Sequence, residues 1–316
     1  MRTIPANAVT TVGTGGAAVW IDLFDPSTQE VAQVEADHGI KVPDLTALSE
    51  IESSSRLRVE GPTLYMSAPL LTGTDTPIWR SAPTGFILTP DVLVTVHYAP
   101  LPLFDTVEQE MAKTGDLTPA LAFAVLLEAA VDRAADHLEH AADAVSQVAR
   151  TIFSDEVAQA GLASETRMLR DTIRTIGRAN DRASRVRYMF LSLGRIVTFA
   201  CDRCDPRLPQ PIIDRLSAVS HDIASLDEFE VSLAGRVQLL QDAATGLISI
   251  EQNDVVKVLT VASVVGIPPV LIAGIYGMNF KDMPELGWHY GYPYALVLCV
   301  LSAVVPYLWF KWRDWI

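Results

Sequence analysis

Over most of this chain apolar residues come in short runs or at helical spacing, but two stretches after residue 254 are apolar almost throughout. The first 115 or so residues read as mixed α/β. Ala18-Val19-Trp20-Ile21-Asp22-Leu23 is a short β-prone run ending at Asp25-Pro26-Ser27, and Ser27 is placed to cap a helix over 28–38. Asp44 is placed to cap a second short helix through Ile51. Strands are expected at Leu57–Glu60, Thr63–Ala68, Thr84–Thr89 and Val92–His97, separated by Gly-Pro and Thr-Pro-Asp punctuation. They mix strict alternation with continuous apolar runs, the pattern of a sheet covered on one or both faces.

From Thr118 the texture becomes rich in Ala, Leu, Glu, Asp and Arg, which predicts two long helices to about residue 200. Breaks fall near Ser154-Asp155 and over 201–211, where Pro206, Pro209 and Pro211 cluster. After Pro211 no strong breaker occurs until Pro268, and Ile212, Leu216, Val219, Ile223, Leu226, Leu233, Val237 and Leu240 recur at helical spacing. At ~1.5 Å per residue a helix over 212–278 extends about 100 Å, which suits a stalk entering a membrane. Residues 258–277 have the length of a membrane span, kinked at Pro268-Pro269, and 292–310 form a second.

The expected layout is therefore an α+β cytoplasmic domain, a mixed sheet with flanking helices, followed by a stalk and two transmembrane helices. Its parts are an N-terminal domain (1–117), a long helical part (118–205), a stalk helix (206–257) and a first transmembrane helix (258–279). A loop (280–291), a second transmembrane helix (292–310) and a tail (311–316) complete it. Lys257, Lys311 and Arg313 flank the spans on one side, which places both termini in the cytoplasm and the loop outside. The start, Met1-Arg2-Thr3-Ile4-Pro5, lacks the uninterrupted apolar core of a signal peptide.

The net charge of −14 over 316 residues argues against nucleic acid as a partner, because phosphate binding needs a basic surface. An acidic balance suits a protein that attracts cations, and serves equally to keep a soluble domain soluble. Cys201, Cys204 and Cys299 make no disulfide framework and read as reduced thiols. Cys201-x-x-Cys204 and His137-x-x-His140 have metal-like spacing, but no second CxxC accompanies them and plain surface residues are expected. No nucleophile elbow, Walker loop or Rossmann glycine pattern is present, so neither an enzyme nor an organic cofactor is indicated.

Two spans cannot enclose a polar path, so a conducting protein of this design must oligomerise around an axis. The first span has a face through Asn253, Val256, Thr260, Ser263, Ile267, Val270 and Gly274 that is smaller and more polar than a lipid-facing stripe, with Asp242 three turns below Asn253. That periodicity fits a pore lining and an ordinary packed helix interface equally well. The segment ends in Tyr276-Gly277-Met278-Asn279-Phe280, and an acidic, aromatic loop follows with Asp282 and Glu285.

These residues resemble the CorA family of divalent-cation channels. The resemblance runs through Ile250-Glu251-Gln252-Asn253, Lys257-Val258-Leu259-Thr260-Val261, Pro268-Pro269 and the 276–280 signature. It continues in Met283-Pro284-Glu285-Leu286-Gly287-Trp288, Gly291-Tyr292-Pro293, Phe310-Lys311 and Trp315. Upstream, Trp20-Ile21-Asp22-Leu23, the segment 51–57, Gly85-Phe86-Ile87-Leu88-Thr89 and Ser192-Leu193-Gly194-Arg195 are also similar to it.

What the resemblance implies is a homopentameric funnel in the bacterial inner membrane with a pore on the five-fold axis. It carries chiefly Mg2+, with Co2+ and Ni2+ also taken. Gly277, Met278 and Asn279 would form the ion entrance, the Asn279 carboxamides accepting bonds from the waters of a hydrated ion. Val256, Leu259 and Ile267 fall where the family has bulky apolar rings, and Asp242 and Asn253 at pore positions near the cytoplasmic end. Family members are thought to close when Mg2+ bridges cytoplasmic carboxylates, for which Asp222, Asp227 and Glu228 are the candidates.

Three positions depart from the family pattern. The terminal basic cluster is reduced to Lys311 and Arg313, Lys281 follows the signature, and Val270 stands where relatives can have a hydroxyl. A Zn2+, Co2+ or Ni2+ transporter of the same superfamily and a non-conducting Mg2+ sensor are the alternatives. The intact Met278 and 283–286 loop favour Mg2+ over Zn2+.

Overall fold

The computed structural model describes residues 9–12, 18–50, 56–72, 80–111, 117–153, 162–204, 208–278, 283–313 and 315, the side chains of 9–12, 162–166 and 285–286 excepted. They form two compact units, 1–154 with 171–241 and 155–170 with 242–316.

The first unit is built on a six-stranded mixed sheet. Its strands are β1 (Val9–Val12), β2 (Trp20–Phe24), β3 (Leu57–Glu60), β4 (Thr63–Thr72), β5 (Arg80–Leu88) and β6 (Leu93–His97), in the order β1-β2-β6-β5-β4-β3. β2 and β6 are parallel, with Trp20 opposite Leu93, and the other neighbours are antiparallel. The period-2 alternation sends Ile21, Leu23, Tyr65, Ile87, Val94 and Val96 into one core with Val34 of α1 (Thr28–His38) and Leu48 of α2 (Leu45–Ser49). On the opposite face Trp20 meets Phe104 of α3 (Pro102–Met111) edge-on at 5.9 Å, and Phe86 meets Phe123 of α4 (Pro119–Ile152) at 6.2 Å. Cover on both sides is why all ten residues of β4 are buried.

Local chemistry sets the helix starts. Ser27 and Glu30 form a reciprocal capping box at α1, the Asp44 carboxylate accepts from Ala47 N–H at α2, and Thr118 caps α4 ahead of Pro119. Gly85 lets α2 lie close on the sheet: a Cβ there would stand 2.8 Å from Val96 Cγ1 and 2.9 Å from Leu48 Cδ2.

The α3/α4 face also holds a polar cluster. Trp20 Nε1–H donates to Thr95 Oγ1 at 3.0 Å, Thr95 donates to Asp22 Oδ1, and His97 Nε2 lies 3.1 Å from Asp22 Oδ2. His97 Nδ1 lies 2.7 Å from the Ala99 carbonyl, which can only accept, so Nδ1 carries a proton. Each polar atom of this buried group thus lies within hydrogen-bond distance of another polar atom.

β4 and β5 run further than alternation predicts. Pro69 and Pro83 read as strand ends, yet they face each other in the ladder beyond the ends of β3 and β6. An N–H directed outward there would have met no strand, so proline is tolerated. β1 and α3 were not expected; for α3 the signal was readable, because Phe104, Val107 and Met111 fall on one buried helical face. Ile51, the expected end of the second short helix, lies outside the described residues; α2 ends at Ser49.

Three long helices complete the chain's helical part: α4, α5 (Leu162–Arg203) and α6 (Gln210–Tyr276). In α6 the buried residues Ile212, Leu216, Val219, Ile223, Leu233, Val237 and Leu240 are seven of the eight expected stripe positions. α6 is a single helix of 67 residues, about 100 Å at ~1.5 Å per residue. A 3-10 turn (Pro284–Gly287) and α7 (Gly291–Trp312) follow.

Gly85→Ala is expected to destabilise the purified full-length protein by about 1–3 kcal/mol, because neither Val96 nor Leu48 has room for a methyl group. A lowered midpoint of thermal unfolding, followed by circular dichroism in detergent, checks it.

Candidate functional site

The C-terminal part of α6 and most of α7 are apolar and uncovered. Windows within them have mean hydropathy 2.2 and 1.9, and 0% and 6% of those windows are buried. A long apolar helix of a soluble protein would be mostly buried; these two are long and apolar enough to cross a membrane. α7 at 22 residues is about 33 Å long, close to the ~30 Å hydrocarbon thickness.

Aromatic residues stand at both ends of α7. Trp288 lies 6.2 Å from Tyr290 and 5.9 Å from Tyr294 before and within its first turn, and Trp309, Trp312 and Trp315 stand at the other end. This is the placement amphipathic rings take at membrane–water boundaries.

At ~100° per residue, Asn253, Val256, Thr260, Ser263, Ile267, Val270 and Gly274 occupy an arc of roughly 100° on α6. The structure brings them together on one continuous face. Val256, Ile267 and Val270 are 59%, 62% and 73% exposed, Asn253 and Gly274 are exposed, and Leu259 stands exposed at the margin. Asp242 is exposed three turns below Asn253.

The polarity of this face is lower than its composition suggests. Thr260 Oγ1 donates to Val256 O at 2.7 Å and Ser263 Oγ to Leu259 O at 2.8 Å, so both hydroxyls spend their protons on their own helix. Pro268 and Pro269 lie inside α6 and remove the intrahelical donors of the Val264 and Val265 carbonyls. The Cys299 thiol of α7 approaches the Pro269 carbonyl at 3.7 Å.

The helix closes at Gly277, whose N–H donates to Ala273 O at 2.9 Å, followed by Met278 N–H to Ile275 O at 3.2 Å. A Cβ on Gly277 would stand 3.0 Å from the Ala273 carbonyl oxygen, which explains the glycine. Met278 is exposed. Asn279 and Asp282 lie outside the described residues, as does the Glu285 side chain.

The three candidate regulatory carboxylates have different surroundings. Asp227 pairs with Arg187 Nε at 3.6 Å, while Arg187 Nη1 reaches Glu230 at 3.2 Å. Burial pushes the Glu230 carboxyl up despite that arginine. Glu228 is exposed.

Asp222 belongs to an acidic group that sequence reasoning missed. Partial burial, then the negative charges of Asp222, Glu128, Asp136 and Glu110, hold the Asp132 carboxyl above its ordinary range. Arg215 offsets part of this charge through its pair with Glu128, with Nε 2.7 Å from Oε1. These residues come from α3, α4 and α6, too far apart in sequence for spacing to reveal.

His137 is buried rather than at the surface as expected; burial, then the Arg182 and Arg133 charges, lower its pKa to about 4. It is neutral at physiological pH, and His140 is exposed, so the pair does not converge. Among the described residues no group of three or more His, Cys, Asp or Glu side chains is arranged to hold a metal.

A family model described as CorA-like Mg2+ transporter protein matches residues 15–312. The magnesium transport protein CorA of Pasteurella multocida (strain Pm70) is 30% identical over 303 residues, covering 95% of this chain and 92% of that protein. CorA of Escherichia coli (strain K12) is 30% identical over 306 residues, with coverage of 95% and 92%. The complete structure of the CorA magnesium transporter from Methanocaldococcus jannaschii superposes with a TM-score of 0.73 at 17% identity, over 94% of this chain and 91% of that one. At that identity the superposition speaks for the fold.

Asp132→Asn is expected to raise the thermal unfolding midpoint at neutral pH and low salt. Because the Asp132 pKa is raised in the fold, the native state binds the extra proton more readily than the unfolded chain. Its repulsion therefore lowers stability as pH climbs from the ordinary carboxylate range through the raised value. The gain in the variant should vanish below that range and shrink in high salt. Unfolding midpoints of both proteins across a pH series check the sign.

Proposed function

The chain belongs to the CorA-like Mg2+ transporter family, and from that premise we propose that it is a homopentameric channel for divalent cations, chiefly Mg2+, in the bacterial inner membrane. The uncovered face of α6 from Asn253 to Gly274 is the observation that carries this reading. A face neither packed by its own chain nor as bulky as a lipid-facing stripe is suited to a shared axis. Five copies place five such faces around one path, with both termini and the charged N-terminal part of α6 in the cytoplasm.

Asn279 forms the entrance in this proposal, immediately after the Gly277 turn. Mg2+ dehydrates reluctantly, so neutral carboxamide oxygens that bond its first-shell waters engage the ion without trapping it. Gly277 and Met278 shape that mouth, and Asp282 and Glu285 add negative potential in the loop. Val256, Leu259 and Ile267 make an apolar narrow stretch that closes by dewetting, aided by the self-bonded hydroxyls of Thr260 and Ser263. Asp242 and Asn253 receive the ion at the cytoplasmic end. Entry is driven by the membrane potential, which favours a divalent ion by about 4.6 kcal/mol per 100 mV.

Closure by cytoplasmic Mg2+ is assigned to the carboxylate side of α6. The acidic surroundings of Asp222 support that assignment most, since a divalent cation would relieve the repulsion that Asp132 feels there. Asp227 is already engaged by Arg187 and contributes less, and Glu228 lies exposed beside it.

Purified protein in liposomes with an internal Mg2+-selective dye should admit Mg2+ under an inside-negative potential and be blocked by hexaamminecobalt, which mimics the hydrated ion. Parallel runs with Co2+ and Zn2+ rank the ions. Binding without influx would sink the channel reading in favour of a sensor, and preferred Zn2+ influx would favour the zinc reading. Asn279→Ala should cut Mg2+ influx roughly tenfold, the loss of about 1–1.5 kcal/mol of water-mediated hydrogen bonding at the entrance. Unchanged conduction in that variant would remove the entrance assignment.

A further inference from the structure

The tail after α7 is tied down by contacts that nothing in the transport reading uses. Arg313 N–H bonds back to the Trp309 and Phe310 carbonyls, and Trp315 N–H donates to Phe310 O at 3.1 Å. The Trp315 ring lies 5.4 Å from the Phe310 ring with 30° between the planes, and Phe310 is 5.2 Å from Trp309. The Arg313 guanidinium sits 5.8 Å over the Trp309 ring. As a result Phe310 is only 4% exposed on a helix whose other residues, apart from Gly291, are not buried.

Trp315, 46% exposed, also faces α6 across an open groove. Together with Asn253, Val256, Lys257 and Thr260 it lines a cavity of about 390 Å³ whose remaining walls belong to α6. The charge in that cavity is already matched, because Lys257 Nζ lies 2.9 Å from Asp254 Oδ1. The indole is therefore placed there by ring packing. Three of its neighbours belong to the proposed pore face, and the ring stands on the flank of that face at its cytoplasmic end.

We propose that Trp315 is a positioning residue for the cytoplasmic end of the pore. At the outer end the two spans are joined by the chain; at the cytoplasmic end the Phe310–Trp315 stack braces α6 against α7. Held this way, Val256 keeps the orientation that narrows the path. Without the ring the cavity enlarges, α6 is free to tilt or turn locally, and the closed arrangement loses its support. The inference rests on the transport reading above, and its test has one arm that does not.

In the first arm, Trp315→Ala and Trp315→Phe are compared with wild type in liposomes loaded with graded internal Mg2+. Trp315→Ala should raise the internal Mg2+ needed for half-closure by roughly three- to tenfold, the range for a residue coupled to a gate. Its influx at low internal Mg2+ should match wild type, and Trp315→Phe should restore the closing midpoint. An unshifted midpoint in Trp315→Ala, a loss of influx with no shift, or failure of phenylalanine to restore it would overturn the proposal.

In the second arm, Cys201, Cys204 and Cys299 are replaced by Ser and a bimane fluorophore is attached to Lys257→Cys in the full-length protein. Contact with Trp315 should quench it, and adding Trp315→Phe should brighten it. Equal brightness with and without the indole overturns the brace whatever the ion flux. Brightening in a protein that conducts nothing would leave the brace standing and sink the transport reading instead.

Discussion

Hydrocarbon gives an exposed peptide group nothing to bond to, so any segment that crosses it must satisfy its own backbone. The last third of this chain is shaped by that condition. α6 and α7 are helices from end to end, and the hydroxyls of Thr260 and Ser263 turn back onto the helix that carries them. Prolines interrupt the ladder at Pro268 and Pro269 of α6, where a thiol from α7 comes near, and at Pro306 of α7. The same condition limits what two helices can do alone. A helix pair cannot surround a polar path, so conduction requires copies of the chain to share one.

The sheet unit answers to the opposite condition, with water available and an apolar core to be made. Both faces of the sheet are covered, which removes the solvated face on which strand polarity would normally show. The polar cluster on the buried α3/α4 face, Asp22 with Thr95, His97 and Trp20, finds its partners within the protein. Charge is pushed to the helix surfaces, where carboxylates from α3, α4 and α6 collect closely enough to disturb one another. An acidic surface of this kind draws cations towards the protein, and divalent cations most strongly.

Much of this was legible in the sequence, for physical reasons that differ by element. The capping residues Ser27 and Asp44 located α1 and α2 to within a residue or two, because a cap is a local interaction. The stripe from Ile212 to Leu240 found the buried face of α6, because a long helix repeats one pattern many times. The ends of β4 and β5 were misjudged, since whether proline breaks a strand depends on neighbours that sequence does not show. His137 was read as a surface residue because its alanine-rich surroundings look alike on either side of a helix. The Asn253–Gly274 face was legible as a helical period, but not as an uncovered surface. The Asp132–Asp222 group and the Trp315 brace were invisible, being contacts between distant segments.

The central claim is that the Asn253–Gly274 face of α6 lines a water-filled path for cations. Single cysteines placed from 253 to 274, in protein whose native Cys201, Cys204 and Cys299 are Ser, can be probed with a charged, membrane-impermeant thiol reagent. The account predicts modification at 253, 256, 260, 263, 267, 270 and 274, recurring with a helical period and slowed when Mg2+ is present. Modification confined to the opposite face of the helix, or indifferent to Mg2+ at every position, would contradict it.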